Sequence, residues 1–97
     1  MKRIIWSPRS IRDLESIHDY IARDSVLYAD LVVQRLIKSV DRLPQVPESG
    51  RVVPELGEPS VREVIIRPYR LVYRIRPHSV DVVTVFHAAR LFPRETT

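Results

Sequence analysis

Apolar residues recur at Ile11, Leu14, Ile17 and Ile21, at spacings of three and four, while Arg12, Asp13, Glu15, Asp19 and Arg23 fall largely off that stripe. This is the period of a half-buried helix, predicted over Pro8–Arg23. Ser7 supplies an N-cap and Pro8 stands at the first helical position, where its missing N–H costs nothing. Asp24-Ser25 breaks the stripe and offers a second cap. Ala29, Val32, Val33, Leu36, Ile37, Val40 and Leu43 then repeat at helical spacing until Pro44. The short break folds the two helices into an antiparallel hairpin.

The rest of the chain alternates instead of cycling. KRIIW (2–6) is a short β-rich run, and VREVII (61–66), YRLVYRI (69–75) and VDVVTVFH (80–87) follow after position 60. Arg67-Pro68 and RPHS (76–79) separate the last three runs as short turns. Between helices and strands, residues 44–60 hold four of the eight prolines and both glycines. This segment is expected as a loop without regular structure, of a length more often functional than incidental, with Glu55 embedded in it. The layout β-α-α-β-β-β implies an α+β fold, a helical hairpin on one face of a mainly antiparallel sheet, as one domain over residues 1–97.

Strand parity decides which side chains share a face. With even turns, Tyr69, Leu71, Tyr73 and Ile75 lie with Val64 and Ile66, and with Val80, Val82, Thr84 and Phe86, under the helices. Arg62 is the one charged exception there. The other face collects Glu63, Ile65, Arg70, Val72, Arg74, Asp81, Val83, Val85 and His87. Arg74 then stands opposite Asp81, and Arg70 opposite Val85 and diagonal to His87, with Glu63 beside both arginines. The expected result is an exposed mixed cluster away from the helices. A bulge in either hairpin would flip one strand relative to the others.

Length and charge narrow the possibilities. A 97-residue chain buries roughly 60–65% of the surface it exposes unfolded, enough for one modest core. It has no cysteine, which excludes disulfides and thiolate metal sites and suits a reducing compartment. No apolar run nears the ~20 residues that span a bilayer, and the N-terminus does not resemble a secretory signal. A cytoplasmic protein with no membrane partner is expected. The formal charge of +4 is uneven: residues 51–97 carry eight basic and five acidic groups, every basic one an arginine. Guanidinium groups suit phosphate or carboxylate, so nucleic acid or an acidic protein segment is the expected kind of partner.

Arg70, His87 and a nearby carboxylate are the parts of a phosphodiester-cleaving site: a base, a cation for the phosphorane and an acid. The competing interpretation is a cross-strand ladder of salt bridges with His87 at a strand end. The histidines at 18, 78 and 87 have no metal-ligand spacing, and no glycine loop cradles a phosphate, so neither a metal nor another cofactor is expected. His18 is placed near a helix boundary. Trp6, Tyr20 and Tyr28 could form a stacking platform, but core packing is the preferred assignment.

Five segments in order resemble the RelE/ParE superfamily of bacterial toxins from type II toxin–antitoxin pairs. They are Trp6-Ser7 with Leu14, Ile17, Tyr20 and Ile21; GRVVPEL (50–56); VREV (61–64); YRLVYRI; and VFHAAR (85–90). The resemblance spans about residues 3–93. It implies a growth-arresting toxin neutralised by a cognate antitoxin. RelE-like members cut messenger RNA on the ribosome, and the matching positions for a YoeB-like set are Glu55 as base, Arg70 as phosphorane stabiliser and His87 as acid. ParE-like members poison DNA gyrase, and for them Arg62, Arg74, Arg90 and Phe92 become determinants for target or antitoxin. Ala88-Ala89 stands where a tyrosine is expected in the nuclease pattern, Phe92 cannot move a proton, and Lys2 and Lys38 are the only lysines. The resemblance therefore leans to the ParE side, with the ribonuclease as alternative and an inactive module of the same fold as a third possibility.

Overall fold

The computed structural model describes residues 2–93. β1 (Arg3–Trp6) leads into α1 (Pro8–Ala22) and α2 (Val26–Lys38); β2 (Arg51–Val52), β3 (Val61–Ile66), β4 (Tyr69–Ile75) and β5 (Ser79–His87) follow. The five strands form one mixed sheet in the order β1-β5-β4-β3-β2. β1 runs parallel to β5, and the other pairings are antiparallel. The N-terminal strand thus lies beside the last one, and the helical hairpin carries the chain across the sheet from β1 at one edge toward β2 at the other.

Local chemistry sets the helix ends. Ser7 Oγ accepts from Ser10 N at 3.0 Å and Ser25 Oγ from Tyr28 N at 3.1 Å, two N-caps at the expected residues. α2 stops at Lys38, short of the Pro44 that the apolar repeat suggests. Ser39 Oγ donates to the Leu36 carbonyl, and the chain proceeds in tight turns, with Asp41 N on Lys38 O and Leu43 N on Val40 O. These turns keep Val40 and Leu43 buried, so the apolar repeat persists where the helix does not. His18 sits within α1, not at its end, and its Nε2 lies 2.7 Å from Asp30 of α2, tying the hairpin together.

Leu14, Val32, Leu36, Val40 and Leu43 pack with Leu71, Tyr73, Val80, Val82 and Val85 to form the main core between helices and sheet. Tyr73 is fully buried there, as the parity of β4 requires. A second, smaller core lies on the opposite face: Val53, Val61, Val72 and Phe86, with Leu56, Val83 and Phe92 against them. The face expected to be open is therefore covered by residues 53–56 and by the chain beyond β5. The segment 44–60 also has more structure than expected. It contains a 3₁₀ turn at Pro47–Ser49 and the short β2, which pairs Arg51 with Glu63.

β5 carries a bulge. Val72 pairs with Thr84 and Tyr73 with Val82, leaving Val83 as an extra residue. Arg74 pairs with Asp81 as expected, but past the bulge the faces exchange. Arg70 stands opposite Phe86 instead of Val85, and His87 opposite Tyr69. The disturbed backbone is held by the first turns of α1. Ser7 Oγ donates to the Val83 carbonyl at 2.9 Å, while Asp13 Oδ2 accepts from Val85 N at 3.0 Å and from Thr84 Oγ1 at 2.6 Å. A carboxylate thus satisfies the N–H that irregular pairing would leave orphaned.

Two consequences can be measured. Asp13→Ala leaves a buried hydroxyl and a strand N–H without an acceptor, costing about 1–3 kcal/mol; hydrogen exchange at Val85 should speed up more than at Leu71. Gly50 packs so closely that a Cβ would lie 2.5 Å from Tyr73 Oη and 2.7 Å from the Glu63 carbonyl. Gly50→Ala should lower the urea midpoint by an amount equivalent to about 1–3 kcal/mol of overpacking. An unchanged midpoint would show that the segment at 47–52 is not held in this position.

Candidate functional site

Arg70 projects from β4 on the face away from the helices, beside Glu63 of the neighbouring β3. Its Nε donates to Glu63 Oε1 at 2.7 Å. Its Nη1 and Nη2 donate to the two carboxylate oxygens of Glu55 at 2.8 and 2.7 Å, a bidentate fork. Arg51 Nε takes the second oxygen of Glu63. The guanidinium also lies against two rings, 5.1 Å from the Phe86 centroid and 5.6 Å from that of Phe92, which themselves meet edge to face. Arg70 is only 8% exposed, and the Glu63 side chain is completely buried.

Glu55 arrives from the loop because Val53 N bonds to Val61 O while Leu56 N and Gly57 N both bond to Val53 O, a tight turn closed on the end of β3. Gly57 completes it with a φ of 66°, the left-handed conformation glycine adopts without strain. On the opposite face of β4, Tyr73 Oη donates to the Pro47 carbonyl at 2.6 Å and accepts from Gly50 N at 3.0 Å. Burial pushes the Tyr73 phenol up, which keeps it protonated as that donor.

The hydrogen bonds from Arg70 hold the Glu55 carboxyl well below its ordinary 4.5, at about 2, against the opposing effect of burial. Arg70 is raised in turn, first by the bonds it donates to Glu55. All three guanidinium nitrogens are thus occupied by carboxylates of the same chain.

The structure therefore unites two of the three residues expected to form a phosphodiesterase set and separates the third. His87 lies on the other face, its ring 5.8 Å from that of Tyr69 at 79°. Its Nδ1 accepts from Ala89 N at 3.0 Å, so in the neutral ring the proton sits on Nε2. The β5 bulge causes the separation, because every side chain beyond it changes sides.

The other candidates scatter. Arg62 lies on the helix side and bonds the carbonyls of Pro59, Glu48 and Gly50, bracing the loop. Arg74 is half-buried, 3.8 Å from Glu58, while Asp81 pairs with Arg76 instead. Arg90 is exposed beyond β5, and Phe92 covers Arg70. Among the described residues no group of three or more His, Asp or Glu side chains is placed to hold a metal ion.

Sequence reasoning missed an open groove of about 1060 Å³ between α1 and the end of β5. Arg9, Arg23 and Arg90 border it, and Tyr20, Tyr69 and His87 line it. Tyr20 and Tyr28, assigned to the core from their spacing, are instead 69% and 55% exposed. The signal that could have found them is their position one step off the apolar stripe, next to Ile21 and Ala29.

Comparisons place this geometry among known proteins. The family model described as ParE toxin of type II toxin–antitoxin system, parDE, matches residues 4–92. A protein named Toxin RelE2 from Caulobacter vibrioides is 37% identical over 92 residues, covering 94% of this chain and all of that protein. Among solved structures, the chromosomal ParDE toxin–antitoxin system from P. aeruginosa superposes with a TM-score of 0.75 at 23% identity, over 90% of this chain and 96% of the other. The YoeB dimer from Staphylococcus aureus gives 0.53 at 19% identity, over 89% and 97%. At such identities the two structural likenesses describe the fold.

The Glu55–Arg70 pair has a pH signature. Because the folded carboxyl titrates near 2 and the unfolded one near 4.5, the pair contributes its full stability above about 4.5 and loses it as the pH falls through about 2. Thermal melts from pH 6 to 2 should show the melting temperature falling across this window. In Glu55→Gln the fall should be shallower and the melting temperature at pH 6 lower. Parallel curves for the two proteins would mean the fork does not form in solution.

Proposed function

The chain belongs to the ParE toxin family of type II toxin–antitoxin systems, and from that membership and the site geometry we propose that it arrests growth by binding DNA gyrase, not by cleaving a nucleic acid. It is the toxin of a pair, and the family implies a cognate antitoxin as its partner. Among the described residues no helix is long and apolar enough to cross a membrane. A cytoplasmic site of action accords with a gyrase target.

The observation that carries the gyrase proposal is the closure of Arg70. A cation that stabilises a phosphorane must offer free N–H groups to an incoming phosphate. Here three of the five N–H groups, one on each nitrogen, already bind Glu63 and Glu55, burial and the flanking rings restrict access to the other two, and His87 lies behind the sheet. A general acid has to reach the leaving oxygen directly or through one water, and a side chain on the opposite face of a sheet has no such path. Arg70 and Glu55 serve as structural residues, and inhibition comes from surface recognition. Arg74, Arg90 and the segment around Phe92 are the proposed determinants for target or antitoxin.

The ribosome-dependent endoribonuclease stays as the second reading because Glu55 and Arg70 do meet, at 2.7 and 2.8 Å, as the nuclease pattern requires. Induction without the antitoxin separates the two. The gyrase reading expects DNA synthesis to stop before translation, purified gyrase to lose supercoiling activity, and His87→Ala to arrest growth as strongly as the parent chain. Cleaved message that disappears in His87→Ala, with gyrase unaffected, would establish the ribonuclease. No growth effect from well-folded protein would point to an inactive module.

A further inference from the structure

The groove beside α1 has a chemistry of its own. Its rim carries the guanidinium groups of Arg9, Arg23 and Arg90, none of which has a carboxylate partner within ion-pair distance among the described residues. Two carboxylates also line it. Asp13 is engaged by Thr84 and Val85 N, and Asp19 is exposed.

Between the cations lie π surfaces. Tyr20 is mostly solvent-exposed with Arg23 4.6 Å above its ring, and Tyr69 meets His87 edge to face. The Tyr69 phenol is pushed up by burial and then by the Tyr28 and Tyr20 phenols, which places three tyrosines in one neighbourhood. With His87 Nδ1 bound to Ala89 N, its Nε2–H is the ring's remaining donor.

We infer that this groove binds a short single-stranded polynucleotide, with bases stacked on Tyr20 and Tyr69 and phosphates held by Arg9, Arg23 and Arg90. Stacking platforms interleaved with arginines are what a splayed-out strand requires, because every base has a π face and every linkage a charge. The Arg23 guanidinium 4.6 Å over Tyr20 shows that this ring face is open to a flat group. A duplex keeps its bases stacked inward and cannot offer them to a groove floor. At about 1060 Å³ and open along its length, the groove has room for a short segment of chain. An acidic peptide would satisfy the arginines, yet it has no use for two tyrosines and an imidazole. The site lies across the sheet from Glu55 and Arg70 and does not depend on gyrase being the target.

The test uses the full chain with fluorescently labelled DNA and RNA 12-mers of mixed sequence, by anisotropy at several salt concentrations. Both strands share the recognised chemistry, and their relative affinities identify which one the groove takes. Three phosphate contacts imply a salt slope of about −2 for a single strand, and Arg23→Ala or Arg90→Ala should each reduce its magnitude by about 0.7. Tyr20→Ala should weaken binding about five-fold or more with the slope unchanged. Arg35→Ala on α2 removes the same charge away from the groove and should have little effect; thermal melts confirm that each variant is folded. If Arg35→Ala weakens binding as much as Arg23→Ala, attraction is diffuse and the inference fails. It fails equally if duplex binds as tightly as single strand, or if a glutamate 12-mer competes fully while Tyr20→Ala has no effect.

Discussion

Arg70 is the one side chain on which the far half of the molecule depends. It leaves the middle of the sheet on a face with no helix, and each segment covering that face touches it. Glu63 fixes it to the neighbouring strand, Glu55 brings in the loop, and Phe92 brings in the chain after β5. Burying such charges costs several kcal/mol per ion, so the group persists only because partners are complete: no buried side-chain nitrogen or oxygen among the described residues lacks a hydrogen bond. Such a network contributes less to net stability than its short distances suggest. Its effect is specificity, since Glu55 cannot move from Arg70 without leaving a buried guanidinium half-paired. The apolar part of the second core is too small to define a loop position by itself. Val53 and Leu56 supply the driving force, and the fork supplies the geometry.

The bulge in β5 is the second constraint, and it explains why the catalytic-looking trio is not assembled. Strand alternation is unforgiving: one extra residue at Val83 sends His87 to the helix side and turns Phe86 toward Arg70. This irregularity is held in place by α1. Ser7 caps its own helix and also grips the Val83 carbonyl, while Asp13 takes the N–H and hydroxyl that follow. The same first turns of α1 therefore define both the helix and the face on which β5 presents its last residues.

Much of this was legible from residue order alone, and the rest failed for identifiable reasons. β3 and β4 fall at the expected residues, β5 begins one residue early, and the Ser7 and Ser25 caps are local features that short-range chemistry determines. The faces of β3 and β4 also follow, because the two-residue turn at Arg67-Pro68 transmits parity intact. Past Val83 the inference breaks, since the carboxylate that stabilises the bulge comes from Asp13, 72 positions from Val85. The loop was legible as unusual but not as structured, for its closure depends on Tyr73 and Arg70, two residues of a strand it does not adjoin in sequence. Tyr20 and Tyr28 were misplaced because an amphipathic stripe marks the buried centre of a helix well and its margins poorly.

The distribution of arginines joins these observations. On the sheet's far side Arg51 and Arg70 end on carboxylates, and Arg74 approaches Glu58, so much of the basic surplus of that half is internally compensated and gives little attraction to a partner. Past the end of β5 and at the two ends of α1 the guanidinium groups of Arg90, Arg9 and Arg23 face solvent or groove, with no carboxylate partner among the described residues. Exposed charges steer encounter and are screened by salt, whereas buried ones set geometry and are not. Residues of one type thus divide by burial into an internally paired set and a solvent-facing set. That the most nuclease-like arginine falls in the first set supports the proposed action through surface binding.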